Sequence, residues 1–307
     1  MARCLLRPTF VRGIAFALVL AGCVRIAPDA GPPPSYPTLE SDRRVEPNPM
    51  DLADLRSIAG AASISLEVGP GPIVSTQSCA DTPGASSRPC YRCTLAVFEP
   101  LPGPAAGQTA HPLEGALRTL ATTLLAYPHS FLRAARVERI ALCRKLVADT
   151  DESTSASADT AHHIAGLAEG SAWRLMVNLD HRDLEHPDAT LHHEIFHLFD
   201  RATAPGGNPQ RDAAWERLNP RGFRYGDPAS ATIYTGFVND YAKTDIAEDK
   251  ASVFEFVMSF PAELCARAVD DPFLLAKARL VLSRIEVAVP PGLGEFARRK
   301  ASCLAPP

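Results

Sequence analysis

The chain has 307 residues, of which 46% are hydrophobic and 21% are charged, so a hydrophobic core of useful size can be buried. The formal net charge of -4 is small and no run of arginine and lysine is present, which argues against nucleic acid as a partner. The length allows one large domain with tails or two average domains.

The N-terminus predicts export. Three arginines, Arg3, Arg7 and Arg12, precede an apolar run over residues 13–21. That run is shorter than the ~20 residues that a membrane-spanning helix needs, but it suits the apolar core of a signal peptide. It ends in Leu-Ala-Gly before Cys23, which resembles a bacterial lipobox; an ordinary signal peptide with a chance cysteine is the alternative. We expect a lipoprotein signal peptide over residues 1–22 and a lipidated Cys23 anchored in a membrane.

The residues that follow predict where the protein resides. Val24 stands after Cys23 where an aspartate would favour the inner membrane, so sorting rules favour the outer membrane of the bacterial cell envelope. Residues 23–50 are rich in proline and predict an extended tether. The folded domain is predicted to span residues 51–307, in the periplasm or outside the cell.

Six cysteines follow the tether, an even number that indicates disulfides in an oxidising compartment. They are Cys79, Cys90, Cys93, Cys143, Cys265 and Cys303, and the sequence does not determine how they pair. Cys90 and Cys93 also have the spacing of half a zinc site, but no matching second pair is present.

Hydrophobic periodicity predicts strands first and helices later along the chain. Strands are predicted at residues 63–68, 91–98, 137–142 and 173–179, and helices at residues 113–127, 189–201, 246–268 and 272–287. Asp188 is the predicted N-cap of the central helix, and residues 203–236 are predicted to form a long loop. This order indicates an α+β fold.

The central helix carries the sequence His193-Glu194-Ile195-Phe196-His197. Histidines four residues apart lie on the same face of a helix, so both imidazoles can reach one metal ion. Glu194 stands where a general base can take a proton from a zinc-activated water. His192 points about 100° away from His193 and is predicted to be structural. A buried helix with two satisfied histidines is the alternative.

A catalytic zinc needs a third protein ligand. The class of zinc peptidases with a third histidine six residues after His197 is excluded, because that position is Thr203. A glutamate from a later helix is the other common solution. Glu248 is a candidate, but Asp245 to Glu248 also fits a capping box, so the residues alone leave its role open; Glu255 and Asp249 are the fallback ligands.

Residues 236–251 contain Tyr-Ala-Lys-Thr-Asp-Ile-Ala-Glu and resemble the anthrax lethal factor-like metallopeptidases and a related group of zinc-binding bacterial lipoprotein peptidases. The resemblance covers residues 111–258. It implies a gluzincin, with Glu248 as the third zinc ligand and Tyr241 assisting the oxyanion. It also implies that Asp200 is an outer partner of a ligand histidine.

Two residues depart from that family pattern. Ser252 stands where an acidic residue usually follows the ligand glutamate by four positions, which weakens the prediction of outer-shell contacts around Glu248. Phe196 replaces a glycine before the second histidine and suggests a tighter helix contact.

The resemblance implies a zincin-like metallopeptidase domain: a small sheet packed on the HExxH helix, followed by a helical C-terminal part. The implied function is a Zn²⁺-dependent endopeptidase that hydrolyses peptide bonds, with peptides or proteins as substrates. We expect a monomer, with residues 173–179 along the cleft pairing with an extended substrate. The alternatives are an inactive zinc-binding surface lipoprotein that acts as a binding module, and a metal-free structural lipoprotein.

Overall fold

The computed structural model describes residues 52–69, 72–74, 90–96, 112–149, 166–179, 187–230, 232–289 and 292–304. All of them belong to one structural unit, Asn48–Pro307. The predicted signal peptide, the whole of the predicted tether with Cys23, and Cys79 lie outside the described residues. None of the described helices has both the length and the apolar character needed to cross a membrane.

The described residues form a mixed α+β fold around a single sheet. Its strands are β1 (Ser65–Glu67), β2 (Pro72–Val74), β3 (Cys90–Leu95), β4 (Arg139–Asp149), β5 (Gly166–Glu169) and β6 (Arg174–Asn178). The order across the sheet is β2-β3-β4-β6-β5, and β1 pairs in parallel with the first part of β4. β4 and β6 are parallel, whereas β5 runs antiparallel to β6 at one edge.

The described residues form nine α-helices, six of them in the second half of the chain. They are α1 (Leu52–Ala61), α2 (Pro112–Leu125), α3 (His129–Ala134), α4 (Pro187–Thr203), α5 (Ala213–Glu216), α6 (Ile246–Ser259), α7 (Pro261–Ala268), α8 (Pro272–Ala288) and α9 (Leu293–Lys300). Short 3-10 turns lie between and after them, including Tyr241–Lys243 just before α6.

An aromatic cluster joins α4 to α6, the two helices that carry the candidate site. Phe254 of α6 stacks on Phe196 of α4 with ring centroids 4.8 Å apart, and Phe131 stacks on Phe199 at 4.9 Å. All four side chains are buried, and each contributes about 1.5–3 kcal/mol through removal of apolar surface from water. The large Phe196, in place of a glycine, is part of this tight helix contact.

Most predicted elements are present with shifted ends. β4 extends seven residues beyond the predicted 137–142 strand because its outer half pairs with β3. The central helix is confirmed, but the prediction of Asp188 as its N-cap is wrong: Asp188 lies inside the first turn, after Pro187. Proline suits this first position because the missing N–H would have no helical partner there.

Two other predictions about the second half are wrong. The single helix predicted over residues 246–268 is divided at Phe260, because Pro261 lacks an N–H and starts a new helix. The long loop predicted at 203–236 contains α5 and two 3-10 turns.

Two disulfides are described. Cys93–Cys143 joins β3 to β4, and Cys265–Cys303 joins α7 to the turn after α9. They confirm the predicted use of four cysteines, and the pairing of Cys93 rules it out as a ligand of a zinc site.

Candidate metal centre

Three donor atoms converge between α4 and α6. His193 Nε2 lies 2.9 Å from Glu248 Oε2, His197 Nε2 lies 3.2 Å from the same oxygen, and the two nitrogens are 3.0 Å apart. A tetrahedral ion with bonds of about 2.0–2.1 Å requires its donors to be about 3.3 Å apart. The His193–His197–Glu248 group could therefore bind a metal ion with only small side-chain movements.

The local sequence explains how Glu248 enters this group. Asp245 caps α6 by accepting the Glu248 backbone N–H at 2.9 Å, as the capping-box pattern predicts. The Glu248 side chain turns towards the histidines. The backbone of Glu248 thus belongs to the helix cap while its carboxylate faces the two histidines, so the cap leaves this carboxylate available as a metal donor.

Glu255 contacts the ring nitrogen of His193 that faces away from the other two donors. Its Oε2 lies 3.1 Å from His193 Nδ1, on the side of the ring opposite the other donors. Glu255 is seven residues after Glu248, two turns along the same face of α6. Between them, the Ser252 hydroxyl is buried and has no hydrogen-bond partner among the described residues. Glu255 therefore provides an acidic partner for His193, although the position that is usually acidic in the family pattern is Ser252 here.

The predicted contact of Asp200 with a ligand histidine is not among the hydrogen bonds of the described residues, since its carboxylate lies 2.5 Å from Lys250 Nζ. Burial raises the pKa of Asp200, and the charges of Lys250 and of His197 oppose that rise, so Asp200 is within electrostatic range of a donor histidine. Asp249 is wrong as a fallback ligand, because its carboxylate binds Lys277 in the core. Helix geometry explains this difference, since Asp249 is rotated about 100° from Glu248.

Glu194 is held by the edge of the sheet. The Ala168 backbone N–H donates to Glu194 Oε2 at 2.8 Å. Gly166 permits this close approach, since a Cβ there would lie 3.0 Å from Glu194 Cγ. Burial raises the pKa of Glu194, the two histidines oppose that rise, and the charge of Glu248 adds to it. A raised pKa makes this carboxylate a stronger proton acceptor.

Tyr241 stands at the open side of the donor group. Its ring centroid lies 5.8 Å from that of His193, and 56% of the residue is exposed. Burial of the hydroxyl and the charges of Glu248 and Glu194 raise the pKa of Tyr241, so the phenol stays protonated and can donate a hydrogen bond.

A second tyrosine, Tyr91, lies near these carboxylates and was not predicted from the sequence. Burial raises the pKa of Tyr91 on β3, and the charges of Glu194 and Glu248 add to the effect. Tyr91 is therefore within electrostatic range of both carboxylates. A tyrosine in a short strand carries no local mark of such a position, because strand pairing determines it.

His193 and its neighbour His192 have opposite environments. Burial lowers the pKa of His193, but hydrogen bonds to Glu248 and Glu255 outweigh it and raise the value to about 10. A metal ion must therefore displace a proton from His193. His192 binds the buried Tyr127 hydroxyl through Nδ1, and burial, with a smaller effect of Lys300, lowers its pKa to about 3. His192 is part of the core, as predicted.

No protein-family model, curated protein or solved structure matches the chain. The resemblance to the lethal factor-like metallopeptidases therefore stays a prediction from short motifs.

Proposed function

We propose that the chain is a zinc-dependent endopeptidase with a zincin-like catalytic domain, in which His193, His197 and Glu248 hold the metal. The convergence of these three donors beside Glu194 is the observation that carries the proposal. Two imidazoles and one carboxylate form the donor set of known zinc peptidases, and three protein ligands leave a position for water or substrate.

The side chains around the donors fit the roles that hydrolysis requires. Zn²⁺, when bound, supplies a Lewis acid that polarises the peptide carbonyl and makes water more acidic. Glu194 takes a proton from the attacking water and delivers it to the leaving amine. The Tyr241 hydroxyl donates a hydrogen bond to the oxyanion of the tetrahedral intermediate. Hydrolysis of each peptide bond consumes one water and yields a carboxylate and an amine.

The edge of the sheet supports a proposal for the position of an extended substrate. The predicted pairing of residues 173–179 with substrate is wrong, because β6 lies between β4 and β5 and both of its edges are paired. We propose β5 instead, since it pairs only with β6 among the described strands and its Ala168 N–H points towards Glu194. A peptide added to this edge would lie beside the donor group.

We also propose that the enzyme acts in the bacterial cell envelope as a lipid-anchored monomer. The two disulfides support an oxidising compartment. The anchor at Cys23 remains a sequence prediction, which mass spectrometry of the mature N-terminus would test.

Zinc analysis and peptide cleavage with the full chain would test the proposed chemistry. We expect one zinc per chain and cleavage of a peptide library, both lost in Glu248→Ala. Glu194→Gln should keep the zinc and lose cleavage, because the amide cannot accept the proton. A parent chain without zinc would refute the proposal, and a Glu194→Gln variant that cleaves at the parental rate would refute the role of Glu194. Zinc binding without any cleavage would favour the binding module.

A further inference from the structure

A buried ion pair links the two helices that carry the metal donors. Lys250 on α6 places Nζ 2.5 Å from Oδ2 of Asp200 on α4. Asp200 is three residues after His197, and Lys250 is two residues after Glu248. The Lys250 and Asp200 side chains are only 1% and 7% exposed. The pair therefore connects α4 to α6 about one helical turn from the candidate metal site.

Further contacts fix the position of the Lys250 ammonium. It donates to the Pro209 carbonyl at 2.8 Å and lies 3.5 Å from Asp212 Oδ2. Asp212 caps α5 and binds Arg284 of α8 with both carboxylate oxygens. The loop between α4 and α6 thus holds Lys250 from one side while Asp200 holds it from the other.

Stability alone does not account for such a pair. When two charges are buried, the loss of their hydration offsets much of the free energy gained from their mutual attraction. A well-packed apolar pair in the same place is often as stabilising or more so. The aromatic cluster already holds α4 and α6 together. An ion pair adds direction, which limits sliding and rotation of one helix against the other. A site with donors 2.9–3.2 Å apart is sensitive to such movements, because functional geometry tolerates displacements of only about 0.5 Å.

We propose that Asp200 and Lys250 are a positioning pair for the metal site. The pair sets α6 against α4 so that Glu248 meets His193 and His197, and neither of its members binds the metal. This inference rests on the metal site of the proposed function and is independent of peptidase activity.

A second buried pair on the same helix offers a matched control. Asp249, the residue before Lys250, lies with Oδ2 2.7 Å from Nζ of Lys277, and both side chains are fully buried. The same carboxylate oxygen accepts from Trp215 Nε1 at 2.8 Å and from the Tyr225 hydroxyl at 2.6 Å. This control pair joins α6 to α8 and to the loop, whereas the positioning pair joins α6 to α4.

The test compares the two pairs in the full chain with zinc as the probe. The variants are Asp200→Asn, Lys250→Met and the double change Asp200→Asn/Lys250→Met, beside Asp249→Asn and Lys277→Met. Zinc affinity is measured by competition with a chelator, and the geometry of the site by the absorption spectrum of bound Co²⁺. Urea unfolding with the metal removed measures the stability of each variant.

We expect the positioning-pair variants to bind zinc about 10- to 100-fold more weakly, as for other outer contacts of metal sites, and to alter the Co²⁺ spectrum. The control variants should lose at least as much stability but keep the parental zinc affinity and spectrum. The double change leaves no unpaired buried charge, so it provides a folded variant if a single change prevents folding.

Two results would overturn the inference. One is parental affinity in the folded positioning-pair variants, and the other is an equal loss of affinity in both sets, which would indicate general destabilisation. A parent chain that binds no zinc would refute the proposed function, and this inference with it. Parental zinc binding with unchanged variants would refute the inference alone.

Discussion

Replacement of Glu255 by alanine tests how His193 is oriented. Glu255 contacts Nδ1 of His193 at 3.1 Å, while Nε2 faces the other donors. A hydrogen bond to a charged group contributes about 1.5–3 kcal/mol, which corresponds to about 10- to 150-fold in an equilibrium constant. The Glu255 side chain is 19% exposed, so solvent weakens the contact and we expect the lower end of this range, about tenfold weaker zinc binding.

Glu255→Gln is the matched control for this change. The amide oxygen of glutamine can still accept the Nδ1 hydrogen, although without the negative charge. We therefore expect its zinc affinity to lie between those of the parent and the alanine variant. Glu248→Ala removes a donor of the group itself and should weaken zinc binding far more than either change at Glu255.

Chelator competition with the full chain would measure these affinities. An alanine variant that binds zinc as tightly as the parent would show that His193 is held without Glu255. If Glu255→Ala lost zinc while Glu248→Ala still bound it, Glu255 would be the third ligand. That result would refute the assignment of Glu248 to the donor group.

Three further changes address the base, the oxyanion and the core. Tyr241→Phe should keep zinc but lower kcat about 10²- to 10³-fold through loss of an oxyanion donor, as measured by steady-state cleavage. Gly166→Val should also keep zinc and lower cleavage, because its side chain would displace Glu194; retained activity would contradict this contact. Phe254→Ala should lower the free energy of unfolding by about 3–5 kcal/mol in urea titrations, because the ring is fully buried between α4 and α6. Zinc affinity should rise with pH through the neutral range, because the pKa of His193 is raised to about 10 in the metal-free protein and the ring must lose a proton to bind; a flat profile in calorimetric titrations would refute that linkage.

The histidine pair and its helix could be predicted because both depend on local spacing. His193 and His197 share a helix face wherever α4 packs, and the apolar residues around them indicate burial. The break at Pro261 was missed, because the apolar periodicity of residues 246–268 was given more weight than the rule that proline rarely continues a helix.

The outer contacts of the site could not be predicted. Asp200 and Glu255 are both acidic residues near a motif, and nothing in the sequence says which one faces a histidine. The rotation of α6 against α4 determines that choice, and it depends on contacts between residues far apart in the sequence, among them the aromatic cluster and the Asp200–Lys250 pair. β5 is only four residues long, too short for a clear alternation of polar and apolar residues.

The separation of the donors along the chain has a consequence for the lifetime of the protein. His197 and Glu248 are 51 residues apart, so a metal held by both would close the intervening segment into a loop. Zinc at a hundredfold excess over its dissociation constant would stabilise the folded state by about 2.7 kcal/mol. Chelation would remove that stabilisation and increase the share of unfolded, protease-sensitive chain, as well as stop catalysis. Under the proposed function, the amount of enzyme at the cell envelope would follow the local supply of zinc.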